Sequence, residues 1–144
     1  MKIKLLFILC CSLVLSSCSV SNNDEPEQNY KSLWHLINVS GGFAGVNESF
    51  ELETIIWSFD EATLKLTVAN NNQDNAIQDG LDAGTYDYSI INTNGESFLV
   101  IDGNELGELT FSQAGMQIDE NLKSTGNGAD GFIYSFQLQR VLVE

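Results

Sequence analysis

Apolar and polar residues alternate with a period of two along most of the chain after Tyr30. In residues 63–68 (TLKLTV) three aliphatic side chains fall on one face, and in residues 85–90 (TYDYSI) two tyrosines and an isoleucine do. The last run, 132–138 (FIYSFQL), places two phenylalanines, a tyrosine and a leucine on one face. This alternation is typical of half-buried strands in an antiparallel sheet, and no stretch has the spacing of an amphipathic helix.

Turn residues divide this pattern into strands. Asn94-Gly95 and Asp102-Gly103 are two-residue hairpin signals because primed turns need positive φ, and Ala114-Gly115 marks another reversal. A longer hairpin loop is predicted at 59–63. We predict eight strands, at 33–39, 48–59, 63–69, 84–92, 96–101, 105–112, 115–119 and 131–142.

Eight short antiparallel strands joined mostly by hairpins can form an open sandwich or a closed barrel. Closure removes the exposed sheet edges. We therefore predict an all-β fold with a single eight-stranded, antiparallel, mostly up-and-down barrel. At eight strands the interior is filled by side chains or holds one small ligand.

Three features of residues 30–144 resemble lipocalin-like domains. Trp34 lies in the first strand, a glycine-rich loop (GGFAG, 41–45) follows that strand, and Arg140, the single arginine of the chain, ends the last strand. The resemblance implies that Trp34 and Arg140 pack together where a calycin-like barrel closes. No glycine stands two residues before Trp34, and the residues after Arg140 do not suit the usual C-terminal helix, so the resemblance is to a reduced form of that barrel.

All three cysteines lie in the first eighteen residues, and only Cys18 follows the apolar run at 5–15. Two lysines precede that run, which is too short to span a bilayer, and this is the layout of a secretory signal. Residues 15–18 (LSSC) resemble the lipobox of bacterial lipoproteins, which implies cleavage before Cys18 and its lipidation by more than one acyl chain, enough for lasting attachment. The alternative is an ordinary signal peptide that leaves Cys18 as a free thiol.

The residues after Cys18 are polar and acidic and lack apolar anchors. They predict a flexible tether, so the chain divides into a lipoprotein signal peptide at 1–17, a lipidated acidic tether at 18–30 and a barrel domain at 31–144. The acidic tether also resembles the surface-export signal of Bacteroidetes lipoproteins. The predicted location is the outer membrane, on its periplasmic or its surface face.

Charge limits the partners of the folded domain. The chain has 6 basic and 20 acidic residues; removal of 1–17 takes away two lysines and no acid, which leaves 4 − 20 = −16. Nucleic acid is excluded because binding it needs a basic stripe. The predicted membrane contact is therefore through lipidated Cys18 alone, and the domain is predicted to be a monomer.

The sequence gives little support for catalysis. His35 is the single histidine, and no thiol except Cys18 follows the signal segment, so a nucleophile with a base and an orienting group is not available. Many carboxylates lie in turns or alternate outward, where local hydrogen bonding explains them. We predict a structural role for His35 and a protein that is not an enzyme.

One long loop, 70–82, contains the weak metal candidates Asp74, Asp79 and Asp82. Their spacing does not match the EF-hand loop, which also ends in a bidentate Glu. Zinc sites need several His or Cys ligands, which are absent from the predicted domain. A solvated loop is the preferred interpretation, and no metal or cofactor is predicted.

Large aromatic side chains are the strongest functional signal. They fill barrel interiors, and the bulk of these rings predicts at most a shallow cavity at the barrel mouth. Tyrosine hydroxyls can also orient a small apolar ligand in a pocket. The candidate ligand-binding residues are Trp57, Tyr86, Tyr88, Tyr134 and Phe136. The predicted function is a non-catalytic binding protein for a small hydrophobic or amphiphilic ligand; the alternative is a cell-envelope protein–protein interaction module with a filled barrel.

Overall fold

The computed structural model describes residues 29–113 and 115–143, and within them all regular secondary structure is β-strand. The signal segment and the predicted lipidation site, Cys18, lie outside the described residues. The strands of the described part are β1 (Tyr30–Gly41), β2 (Val46–Ser49), β3 (Ile55–Asp60), β4 (Lys65–Asn70), β5 (Gly84–Thr93), β6 (Glu96–Ile101), β7 (Asn104–Phe111), β8 (Gly115–Asp119), β9 (Leu122–Lys123), β10 (Gly126–Asn127) and β11 (Phe132–Leu142).

Eight of these strands close into one barrel. The neighbours follow the order β1-β3-β4-β5-β6-β7-β8-β11, every pair is antiparallel, and β11 pairs back with β1. The closing ladder runs from Tyr30↔Leu142 to Gly41↔Phe132, with a register shift between Leu36 and Asn38. The structure confirms the prediction of an all-β, eight-stranded, up-and-down antiparallel barrel.

One predicted strand, 48–59, is two strands in the structure. The chain turns at 50–54, where the Thr54 amide donates to the Glu51 carbonyl at 3.2 Å and Glu53 has a φ of 71°. β2 therefore pairs with the last residues of β1, whereas β3 pairs with its middle. Apolar and acidic residues alternate through this turn (FELE, 50–53), so the pattern shows no interruption.

The connection between β8 and β11 carries a further small sheet, β9–β10, that the alternation does not predict. The Lys123 ammonium fastens it to β7 by donating to the carbonyls of Glu105 at 3.0 Å and Leu106 at 2.7 Å. The Ser124 hydroxyl and amide donate to the Glu105 carboxylate and lower its pKa. These contacts hold the connection against the barrel wall.

Two hairpin turns have the predicted conformation. Asn94 and Gly95 have φ values of 54° and 86°, and Asp102 and Gly103 have 48° and 80°. Both residues of each turn are thus left-handed, as a two-residue primed turn requires for its twist to match that of the strands. The turns fix the register of β5 with β6 and of β6 with β7.

The hydrophobic core lies inside the barrel. Its fully buried side chains come from strands around the whole barrel and include Leu36, Ile55, Trp57, Leu66 and Ile118. Burial of each such side chain contributes about 1.5–3 kcal/mol relative to exposure. With no thiol available for a disulfide in the described residues, this packing carries the stability of the domain.

The two ends of the barrel differ in their connections. Where β1 begins and β11 ends, the connections β3–β4, β5–β6 and β7–β8 are short. At the opposite end, the segments 71–83 and 120–131 are long enough to fold across the opening. The end where β1 begins is called the mouth end below, and the opposite end is called the closed end.

Candidate ligand-binding cavity

A cavity of about 950 Å³ lies at the mouth end of the barrel. It is lined by side chains at the mouth-end termini of the strands, from the start of β1 to the end of β7 and the residue after β11. The larger apolar and aromatic side chains of the lining are Trp34, Phe59, Tyr88, Leu109, Phe111 and Met116.

The cavity lies at the barrel mouth, as predicted, but it is larger than the shallow cavity that the sequence predicted. Three of the bulky aromatic side chains, Trp57, Tyr134 and Phe136, are buried in the core and do not line the cavity, whereas Trp34 and Tyr88 do. Trp57 and Phe136 pack on one another with ring centroids 4.9 Å apart. These side chains therefore fill part of the barrel interior, and the mouth end stays open.

A gap between β1 and β3 widens the cavity toward the side of the barrel. In the described residues the hydrogen-bonded register of these strands consists of Trp34↔Trp57 and His35↔Ile56. Toward the mouth, β1 stays paired with β11 while its side facing β3 is unpaired. Consecutive residues such as Ser58 and Phe59 both line the cavity for this reason.

Aromatic rings line the cavity in two contacting pairs. The ring centroids of Trp34 and Phe111 are 5.6 Å apart, and those of Phe59 and Tyr88 are 5.0 Å apart in an edge-to-face arrangement. Phe111 is nevertheless 63% exposed, and Tyr30 at the rim is 57% exposed. The mouth therefore offers uncovered aromatic surface that a bound ligand could cover.

Charged side chains at the mouth are Lys31, Asp60 and Glu61. The Asp60 carboxylate accepts hydrogen bonds from the amides of Ala62 (2.9 Å) and Thr63 (3.2 Å). Hydrogen bonds from the Thr63 hydroxyl and from these amides lower the pKa of Asp60, so it is ionised at neutral pH. Asp60 thus places a fixed negative charge beside the opening.

The negative charge at the opening also affects the pKa of the Tyr88 hydroxyl. Partial burial raises the pKa of Tyr88, and the carboxylates of Glu61 and Asp60 raise it further. A carboxylate disfavours the phenolate because it repels a second negative charge. Tyr88 is therefore a neutral hydroxyl within the cavity, able to donate or accept a hydrogen bond.

Of the five aromatic residues proposed as ligand contacts, Tyr88 is the one that lines the cavity. Trp57, Tyr134 and Phe136 belong to the core, and the Tyr86 hydroxyl donates to the Asp82 carbonyl at 2.8 Å. The structure instead brings Tyr88 together with Trp34, Phe59 and Phe111. The signal available in the sequence was alternation, because Trp34 and Phe111 lie on the inward-facing side of their strands.

The closed end is sealed by the segment 71–83. The side-chain amides of Asn70 and Asn72 donate to the Asp79 carboxylate at 2.9 and 2.8 Å, which fixes the shape of the segment. The Gln78 amide reaches the Tyr134 hydroxyl at 3.4 Å, and this hydroxyl donates to Glu120 at 3.1 Å. Burial and then the Glu120 charge raise the pKa of Tyr134, so its proton stays in this network.

The carboxylates of two of the three metal candidates in this segment have other partners. Asp79 is held by Asn70 and Asn72, and the Asp74 carboxylate accepts from the Ala76 amide at 2.9 Å. Among residues 29–113 and 115–143, Asp74, Asp79 and Asp82 do not form a group of three or more ligands that could hold a metal ion. Their oxygens shape the loop instead.

His35 is buried, with 3% exposure, and makes two hydrogen bonds. The Glu53 amide donates to its Nδ1 at 3.1 Å, so Nε2 carries the ring proton and donates to the Gln139 side-chain oxygen at 2.7 Å. The ring thereby ties β1 to the 50–54 turn and to β11. These contacts account for its presence in the wall of the barrel.

Trp34 and Arg140 lie on the same face of the closing ladder, in pairs that one further pair separates. Trp34 pairs with Leu138, and Arg140 pairs with Ser32. The Trp34 ring packs against Phe111, and Arg140 is exposed. Contact between the Trp34 and Arg140 side chains stays a prediction.

Comparisons with family models, with curated proteins and with solved structures give no match for this chain. The structure shows the barrel. The resemblance of the chain to lipocalin-like domains stays a prediction about its family. In the part of the chain that the structure describes, no helix is long and apolar enough to cross a membrane.

Proposed function

We propose that this protein is a non-catalytic binding protein that holds a small hydrophobic or amphiphilic ligand in the mouth-end cavity. The observation that carries the proposal is the cavity itself, about 950 Å³ in volume. Small-molecule sites are commonly about 300–1,000 Å³ and mostly apolar with a few polar groups. Aromatic rings that line the cavity and charged groups at its opening match an amphiphile with its head outward.

The lining of the cavity also contains hydroxyl groups. Ser58, Thr67 and Ser97 offer hydroxyls, and Tyr88 offers a neutral phenol. They are able to orient a ligand headgroup by hydrogen bonding, whereas the aromatic pairs exclude water from its tail. This arrangement of hydroxyl groups and aromatic rings supports binding of one small molecule per barrel.

We also propose that the domain is a lipocalin-like lipoprotein, held at the outer membrane through lipidated Cys18 and acting as a monomer. The support is the LSSC motif at 15–18 and the acidic segment that follows it. Twelve residue steps separate Cys18 from Tyr30, so a fully extended tether would reach about 40 Å. Tyr30 lines the cavity, and the proposed anchor therefore joins the barrel at its mouth end.

The test is ligand binding by a soluble form of residues 19–144, which contains every described strand. The protein is purified from cells for native mass spectrometry and is titrated with long-chain alcohols, amines, acids and small aromatics while tryptophan fluorescence is followed. Trp34 lines the cavity, so a bound ligand should quench fluorescence saturably at micromolar concentration. A clean apo mass together with flat titrations across the panel would overturn the proposal.

Two serine variants form a matched pair for this test. Ser97 lines the cavity, whereas Ser89 points outward from the neighbouring strand β5 and is exposed. Ser97→Phe should occupy the opening and abolish saturable quenching, and Ser89→Phe should leave it intact. Equal binding by both variants would mean that the ligand does not use this cavity.

A further inference from the structure

We propose that the cavity selects amphiphiles with a positively charged headgroup, such as single-chain aliphatic amines or quaternary ammonium compounds, over fatty acids and other anionic amphiphiles. This inference rests on the proposed binding function and adds the chemical class of the ligand. Three observations carry it: the charged groups at the mouth, the aromatic surface beside them, and the charge of the whole chain.

The charged groups that line the cavity are two carboxylates and one ammonium. In the described residues no ion pair within 4 Å joins Lys31 to Asp60 or Glu61, although Lys31 is near enough to lower the pKa of Asp60 slightly. Glu61 makes no hydrogen bond or ion pair in the described part of the chain. The Glu61 carboxylate is therefore available to a ligand cation, and Asp60 adds its charge beside it.

Aromatic faces lie next to these carboxylates. Phe59 precedes Asp60 directly in the chain, and Tyr88 is close enough to both acids for its pKa to respond to them. A cation over an aromatic face is attracted by the negative charge of the ring surface, and quaternary ammonium groups are recognised in this way. A carboxylate headgroup at the same position would be repelled by the rings and by the two acids, with Lys31 as the one cation in the lining.

The remaining charge of the protein acts in the same direction. The full sequence has a net charge of −14, and such a field raises the local concentration of cations at a surface and lowers that of anions. Outside the lining, the ladder partner of Asp60 is Lys65, whose ammonium pairs with the Asp87 carboxylate, and the ladder partner of Ser32, which lines the cavity, is Arg140. Arg140 itself is exposed and does not line the cavity, so it does not offset the two carboxylates within it.

The test compares three probes that share one decyl chain: decyltrimethylammonium, decanol and decanoate, each below its micelle concentration, on the soluble form of residues 19–144. Dissociation constants come from calorimetry at low and at physiological salt. We expect the ammonium probe to bind about tenfold more tightly than decanoate, with decanol between them, and the difference to shrink with added salt.

A double variant assigns the selectivity to the mouth. Asp60→Asn keeps the side-chain oxygen that accepts from Ala62 and Thr63, and Glu61→Gln removes only charge. Together they should weaken the ammonium probe about fivefold and leave decanol unchanged. The control, Glu51→Gln with Asp82→Asn, makes the same change in net charge on exposed residues at the closed end and should have little effect.

The outcomes separate this inference from the proposed function. Binding of decanol and decanoate with equal or greater affinity than the ammonium probe would overturn the charge selectivity and leave the binding function standing. Equal losses in the mouth variant and in the control variant would assign the preference to overall charge and also overturn the inference. No binding of any probe would remove the proposed function itself.

Discussion

Replacement of Phe111 by alanine tests whether the exposed ring at the mouth is a ligand contact. A phenylalanine side chain has about 150–250 Å² of surface, so an exposure of 63% leaves about 110 Å² uncovered. A ligand that covers half of this area gains about 1.4 kcal/mol at roughly 25 cal/mol per Å², which is about tenfold in Kd. Phe111→Ala should therefore weaken binding of a decyl-chain ligand about tenfold.

Folding stability should change much less in this variant. The packing that Phe111 makes in the free protein is its contact with Trp34, and loss of such a ring pair costs about 1 kcal/mol. The assay is calorimetric titration with decanol or decyltrimethylammonium, beside urea unfolding of the same samples. The control is Phe43→Ala, which removes an equally large, 92% exposed ring in the β1–β2 turn at the closed end. Equal Kd values for the two variants and the parent would refute the placement of the ligand at the mouth.

Three further predictions concern the anchor, the loop and the barrel wall. Cells fed labelled palmitate should label the parent protein and not Cys18→Ser, and label retained by the variant would remove the lipoprotein proposal. Chelation by EDTA should leave the melting temperature unchanged; a large drop that calcium reverses would restore the loop at 70–82 as a metal site. Gly115→Ala should destabilise the domain by at least about 2 kcal/mol in urea unfolding, because its Cβ would lie 1.8 Å from the Phe136 carbonyl oxygen, whereas Gly84→Ala has room and should be nearly neutral.

The fold was predictable because the features that define it are local. Alternation with a period of two identifies the inward-facing side of each strand, and Asn94-Gly95 and Asp102-Gly103 force tight reversals through their positive φ values. Once strands of similar length are joined by short turns, neighbours in sequence become neighbours in the sheet. The break between β2 and β3 escaped prediction because the 50–54 turn keeps the alternation of its flanking strands.

The candidate site was less predictable, for a physical reason. Alternation specifies whether a side chain points inward and says nothing about its height along the barrel axis, which depends on strand stagger. Trp57 and Tyr88 both point inward, yet Trp57 belongs to the buried core and Tyr88 lines the cavity. The gap between β1 and β3 depends on where their ladder ends, and no residue type marks that point.

The asymmetry of the two ends explains how one barrel can combine a packed core with an open cavity. At the closed end, the segment 71–83 crosses the opening and is fastened through Asp79, Gln78 and Tyr134. At the mouth end the connections are too short to cross, so the described residues leave rings such as that of Phe111 uncovered. The chain also enters the barrel at the mouth end. If Cys18 carries lipid as proposed, the tether holds the opening within about 40 Å of the membrane, the phase in which amphiphiles concentrate.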